Sequence, residues 1–141
     1  MRLGDRINAT VMHASARWTV RYGEELRFAG TDLPAPRRMR VPTRHGRVPV
    51  HVYRDPAWAA GPRPALVHFH GGAWLMRYPQ MDDFWCRYLV ARAGVVVVNV
   101  DFTAGPYATY PVAQHQCHDV AAWVREHGAE IGADGERLVV G

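Results

Sequence analysis

Residues 95–100 read Val-Val-Val-Val-Asn-Val. Branching at Cβ stiffens χ1 and suits the pleat of a strand, so this run extends rather than coils. It shows no alternation of apolar and polar side chains, so neither face of the strand can lie in water. A strand buried on both sides needs a sheet with a packed layer on each face. The flanking sequence offers those layers. Residues 81–93 have helical spacing, with Asp82 and Asp83 at the start, where carboxylates complement free N–H groups, and Gly94 at the stop. Phe84, Tyr88, Leu89 and Ala91 are its expected apolar face. Residues 112–127 predict a second helix, with Val112, Val120, Trp123, Val124 and His127 near one face and Gly128 and Gly132 as breakers. Short apolar runs at Ala65–Phe69 and Arg137–Val140 read as further buried strands. Strands alternating with helices of this length imply parallel β-α-β units.

A hairpin precedes these units. Val48, Val50 and Val52 alternate with Pro49, His51 and Tyr53, and Arg38–Thr43 lies across a turn at Arg44-His45-Gly46-Arg47. Its prolines predict an outer strand. Further upstream, from Met1 to about Tyr22, Leu3, Ile7, Val11, Ala14 and Trp18 recur at helical spacing. Gly30, Pro34 and Pro36 mark residues 23–36 as a connector. The expected fold class is α/β, a mixed hairpin followed by parallel β-α-β units. The expected division is an N-terminal helix and linker over residues 1–36 and a partial α/β domain over 37–141.

Composition narrows the class. The chain has 141 residues, 48% hydrophobic and 21% charged, with a formal charge of +4. Arg37, Arg38, Arg40, Arg44 and Arg47 carry much of the positive charge, but they alternate with Val, Pro and Met, as on the wet face of a strand. No nucleic-acid reader motif accompanies them. Cys86 and Cys117 form no CxxC unit, and reduced thiols fit a cytoplasmic protein. No signal peptide is apparent, and no stretch approaches the roughly 18 apolar residues of a membrane span.

The chemistry concentrates at the end of the Ala65–Phe69 strand. There the sequence reads His70-Gly71-Gly72-Ala73-Trp74. Acyl transfer places negative charge on a carbonyl oxygen, and backbone N–H groups aimed at that oxygen stabilise it. Successive glycines let a backbone approach a ligand and adopt positive φ. A bare Gly-Gly is more often a tight turn. The full pentapeptide after a buried strand is the signature of an oxyanion-hole loop in lipases and esterases. Gly71, Gly72 and Ala73 are the expected donors. His70 is expected to hold the loop through its side chain, and Trp74 to pack beneath it or line an acyl pocket.

From about Val48 to Gly141 the chain resembles the α/β-hydrolase fold, specifically the hormone-sensitive-lipase-like carboxylesterases. Three stretches carry the resemblance: His68-Phe69-His70-Gly71-Gly72-Ala73-Trp74; Asp101-Phe102-Thr103-Ala104-Gly105-Pro106 with Tyr110-Pro111; and Trp123-Val124 with residues 132–141. The resemblance implies hydrolysis of small carboxylic esters through a serine acyl-enzyme, with no cofactor and no metal. It places the Gly-x-Ser-x-Gly elbow just past Gly141, and the acid and histidine further on. Ser15 is the one serine here, in no such setting. The catalytic triad is therefore expected to lie outside these residues and the chain to be inactive alone. Two alternatives stand beside that reading: one half of a split esterase, completed by a partner chain with the C-terminal half, and a non-catalytic binding module. The resemblance also makes the Arg137 strand the neighbour of the Ala65 strand, with a bare apolar edge, and likens the N-terminal helix to part of a cap. Thr103 stands where the family usually has Arg, and Tyr107 where it usually has Glu; those two residues stabilise the loop beside the active site.

Other constellations carry less. His68 and His70 share a strand face, and Cys117 and His118 lie elsewhere, but no third ligand is spaced with them for a metal. Cys86 sits among aromatics in mid-helix, where a buried, inert thiol is expected. Adjacent helix positions diverge, so Cys117 and His118 make no dyad. Asp101 is expected to be structural.

Overall fold

A computed structural model describes residues 3–20 and 26–141. Within them the elements run α1 (Leu3–Thr19), β1 (Arg37–Thr43), β2 (Gly46–Tyr53), β3 (Arg63–Phe69), α2 (Asp83–Ala93), β4 (Val96–Val100), α3 (Val112–His127) and β5 (Ala133–Val140). Short 3-10 turns at Pro79–Asp82 and Gly128–Ile131 lead into α2 and out of α3. Met1, Arg2 and residues 21–25, which the sequence assigns to the first helix and the connector, lie outside the described residues.

The five strands form one mixed sheet in the order β1-β2-β4-β3-β5. β1 and β2 form the antiparallel hairpin, and β2 also runs antiparallel to β4. β3 pairs parallel with β4 on one side and with β5 on the other. The expected β3–β5 neighbourhood is therefore present, and β5 is an edge. The prolines divide differently from expectation. Pro42 lies in the edge strand β1, but Pro49 lies in β2, which is internal. Pro49 is still tied to the β4 side through its carbonyl, which accepts from Asp101 N at 3.0 Å just beyond the first β2–β4 pair, Val50↔Val100.

β4 meets the burial demand of its sequence: all five of its residues are buried. Val96, Val98 and Val100 face a core built with Val50, Val67, Cys117, Val120 and Val124, on the α3 side. Val97 faces the other way, into a smaller cluster with Tyr53, Cys86 and Val90 on the α2 side. The faces of α1 and α2 are rotated from those read off the sequence, whereas α3 packs through Val120, Val124 and Trp123 as expected, with only His127 misplaced. In α2 the buried pair is Cys86 and Val90, while Ala91 is exposed. In α3 the buried set is Ala113, Gln116, Cys117, Val120 and Val124, and His127 is exposed. In α1 the small residues Ala9 and Ala16 are buried, whereas Leu3, Ile7, Val11 and Trp18 are exposed. Apolar spacing identified each helix; small, weakly hydrophobic positions at the i and i+4 or i+7 spacing decided which side packs.

Candidate active site

β3 and β4 run parallel, so the segments after Phe69 and after Val100 leave the sheet at the same end, where α/β folds hold their ligands. These two loops make the candidate site. In the first, Gly72 takes φ 119° and Ala73 and Trp74 take φ 53° and 59°. Two successive non-glycine residues in the left-handed region are costly, and such strain gathers where a backbone is held for a purpose. A Cβ on Gly72 would come within 2.6 Å of the Met76 Cβ, whereas one on Gly71 would meet nothing nearer than 3.9 Å. Glycine is thus required at position 72 on two counts, by φ and by space.

The loop is closed through its carbonyls. Gly72 O accepts from the amides of Leu75 and Met76, both at 3.0 Å, and Trp74 O accepts from Gly105 N at 2.7 Å. Among the described residues, none accepts a hydrogen bond from the amides of Gly71, Gly72 or Ala73. These are three consecutive backbone donors at the end of β3.

Side chains lock this backbone to the second loop. Phe102, fully buried, stacks on His70 at 4.4 Å between centroids and meets Trp74 at 4.9 Å. Arg77 donates to both oxygens of Asp101, at 2.7 and 2.9 Å. Asn99, in mid-sheet, donates through Nδ2 to Pro79 O at 2.8 Å, and His68 Nε2 lies 2.8 Å from Asp82 Oδ2. The whole segment from His70 to Asp82 is thereby held at both ends. The partner of Asp101, Arg77, carries no sequence signal, since a single Arg in an irregular loop has no periodicity to betray it.

Thr103, where the resemblance in the sequence implies Arg, is anchored all the same. Gln116, buried in α3, accepts from Thr103 N through Oε1 at 2.7 Å and donates to Thr103 Oγ1 at 3.2 Å. A glutamine amide offers a donor and an acceptor side by side, so it matches the N–H and hydroxyl of one threonine. Gln116 escapes notice in the sequence because it reads as one more polar residue on a helix. Its place within the buried stripe Ala113, Gln116, Cys117 and Val120 is the signal that identifies it.

His70 donates through Nδ1 to Gly71 O at 2.7 Å, and its Nε2 is buried with no partner among the described residues. Burial pushes its pKa down, against a smaller upward pull from the Gly71 hydrogen bond. A neutral imidazole stacked on a phenyl ring packs the loop. Trp74 is 44% exposed, so it borders the open side of the loop. His13 of α1 contacts the edge of Tyr107 at 5.1 Å, which brings the N-terminal helix over the second loop.

The two thiols are chemically quiet. Burial pushes the Cys86 thiol far up and the Cys117 thiol up to about 12, so neither forms a thiolate at neutral pH. His118, next to Cys117, turns outward to Asp119 at 3.3 Å. Among the described residues, no three His, Cys, Asp or Glu side chains are placed to hold a metal ion, and no helix is long and apolar enough to cross a membrane.

A sequence profile for the alpha/beta hydrolase fold matches residues 66–141, more than half of the chain. Esterase LipI of Mycobacterium tuberculosis is 36% identical over 77 residues, which is 55% of this chain and 24% of LipI. Human hormone-sensitive lipase is 26% identical over 94 residues, covering 67% of this chain and 9% of its own length. The solved structure of an esterase from Pyrobaculum calidifontis superposes with a TM-score of 0.78 at 26% identity, over 94% of this chain and 42% of the esterase. The chain spans less than half the length of each of these three proteins.

Proposed function

The chain belongs to the alpha/beta hydrolase fold family, in its hormone-sensitive-lipase-like esterase and lipase group, and we propose that it supplies the oxyanion-binding half of a carboxylic ester hydrolase site. The donors are the amides of Gly71, Gly72 and Ala73. The observation that carries this reading is that all three amides lack an acceptor among the described residues, on a loop strained to positive φ and pinned on both flanks. His70 supports the loop from beneath, and Trp74 borders the acyl pocket.

The tetrahedral intermediate of ester hydrolysis carries its charge on the former carbonyl oxygen. Preorganised amides meet that charge without reorganising when it forms, which lowers the barrier. The nucleophile must come from elsewhere. Ser15 lies in α1, bonded to Met12 O at 3.3 Å, and the thiols are buried. Gly141 is hydrogen-bonded into the sheet beside the loop, to Val67 O at 3.1 Å and from Phe69 N at 2.7 Å. A segment joined to Gly141 would start within reach of Gly71, and a serine carried there by the same chain or by a partner would meet the oxyanion donors. Residues 1–141 alone then bind the oxyanion but do not turn over; the substrate is a small-molecule carboxylic ester.

The test is a chimera of residues 1–141 with the remainder of the P. calidifontis esterase, assayed on p-nitrophenyl butyrate. Gly71→Pro removes one donor and is expected to lower kcat by about 10²–10³-fold. Unchanged kcat in a folded Gly71→Pro chimera would remove Gly71 from the donor set.

A further inference from the structure

A groove of about 660 Å³ lies at the opposite end of the sheet from Gly71–Ala73. It sits where β2 ends and where β3 and β5 begin, lined among others by Leu33, Pro36, Val52, Pro62 and Ile131. Its walls are mostly apolar, and its size is that of a small-molecule site. Arg54 is set into it. The guanidinium lies against Gly132, where a Cβ would stand 3.0 Å from Arg54 Nε and 3.1 Å from Cζ. Gly132, at φ 73°, closes the 3-10 turn after α3, and the absence of a side chain there makes room for the arginine.

Arg54 differs from the other arginines set against the fold. Arg44, Arg77, Arg87 and Arg137 each hold an aspartate. Arg54 Nε is buried with no hydrogen-bond partner among the described residues. A buried donor on a permanent cation is costly when it is left without an acceptor. Glu130, also in the lining, is drawn instead to His127 at 3.4 Å, and its carbonyl accepts from Arg37 at 3.4 Å. The groove therefore has mostly apolar walls and two lining cations, Arg37 and Arg54, of which Arg54 has an Nε without a partner among the described residues.

We propose that this groove is a second binding site, distinct from the candidate active site, for a small monocarboxylate with an apolar body. The carboxylate pairs with the Arg54 guanidinium, whose fork geometry suits it, and the body covers the proline, valine and isoleucine walls.

The experiment is a titration of the ¹⁵N-labelled 141-residue chain with octanoate, beside 1-octanol and inorganic phosphate. Octanoate is expected to shift the amides of Ile131, Gly132 and Val52, and to bind about tenfold or more tightly than either control. Arg54→Gln is expected to abolish that preference over octanol, with the other resonances in place. Ala60→Trp, at the exposed rim, is expected to block octanoate with Arg54 intact, and it decides the matter should Arg54→Gln unfold. No binding through the millimolar range, equal binding of octanol, shifts centred on Gly71–Ala73, or octanoate binding unchanged in both folded variants would each overturn the proposal.

Discussion

Gly72 and Gly71 are neighbours in the sequence and opposites in what they tolerate. Gly72 combines φ 119° with a Cβ position 2.6 Å from the Met76 Cβ, and Gly71 has neither constraint. Gly72→Ala should therefore destabilise the fold by about 1–3 kcal/mol, the usual cost of forcing a side chain into such a conformation. Gly71→Ala should stay within about 0.5 kcal/mol of the parent. Urea midpoints of the two variants check this pair, and equal midpoints would contradict the reading of the turn. The pentapeptide thus contains one glycine fixed by sterics and one available for close approach of a ligand, a distinction invisible in the letters Gly-Gly. Gln116 shows the reverse case: a residue with no motif around it anchors the second loop through Thr103.

At the scale of elements, the hairpin turn and α3 are joined by the Arg44–Asp119 pair, beside a stacked His45–His115 contact at 2.9 Å between ring nitrogens. Arg44, in the β1–β2 turn, reaches Asp119 of α3 through its side chain at 2.6 Å and through its own amide at 2.9 Å. The Arg44 hydrogen bond holds the Asp119 carboxyl well below the usual carboxylate range. A carboxyl depressed in the fold stabilises it above the unfolded value, about pH 4, and loses that effect as pH falls toward the folded one. Asp119→Asn should therefore unfold at lower urea than the parent at pH 7, and the difference should close as the pH falls below about 4. A gap independent of pH would assign the effect to packing instead. This tie is not legible in the sequence, because Arg44 and Asp119 are distant along the chain and each reads as a surface charge. The strands and helices are legible: the valine-rich run, the Asp82-Asp83 start, the Gly94 stop and the 112–127 spacing all depend on local chemistry. The packing faces of α1 and α2 are not, since they depend on which positions meet the sheet, while that of α3 is legible in Val120, Trp123 and Val124.

Across the whole molecule, the apolar surface is unevenly covered. Val139 and Val140 on the edge strand β5 are 64% and 54% exposed, and α1 leaves Leu3, Ile7, Val11 and Trp18 in solvent. An apolar strand edge is a template for pairing with another chain. The isolated chain should self-associate, and Val140→Lys should shift it toward monomer in sedimentation velocity; an equally associated variant would move the interface to α1. The same edge lies beside Gly71–Ala73, so covering it and completing the site are expected to go together. The central claim is that these residues hold the oxyanion donors and no working nucleophile. The measurement that bears on it most directly is p-nitrophenyl butyrate hydrolysis by the purified 141-residue chain, alone and after mixing with a chain carrying the serine elbow, acid and histidine of a relative. The predicted result is no turnover alone and turnover on mixing. Turnover by the chain alone, abolished by Gly71→Pro, would contradict that claim.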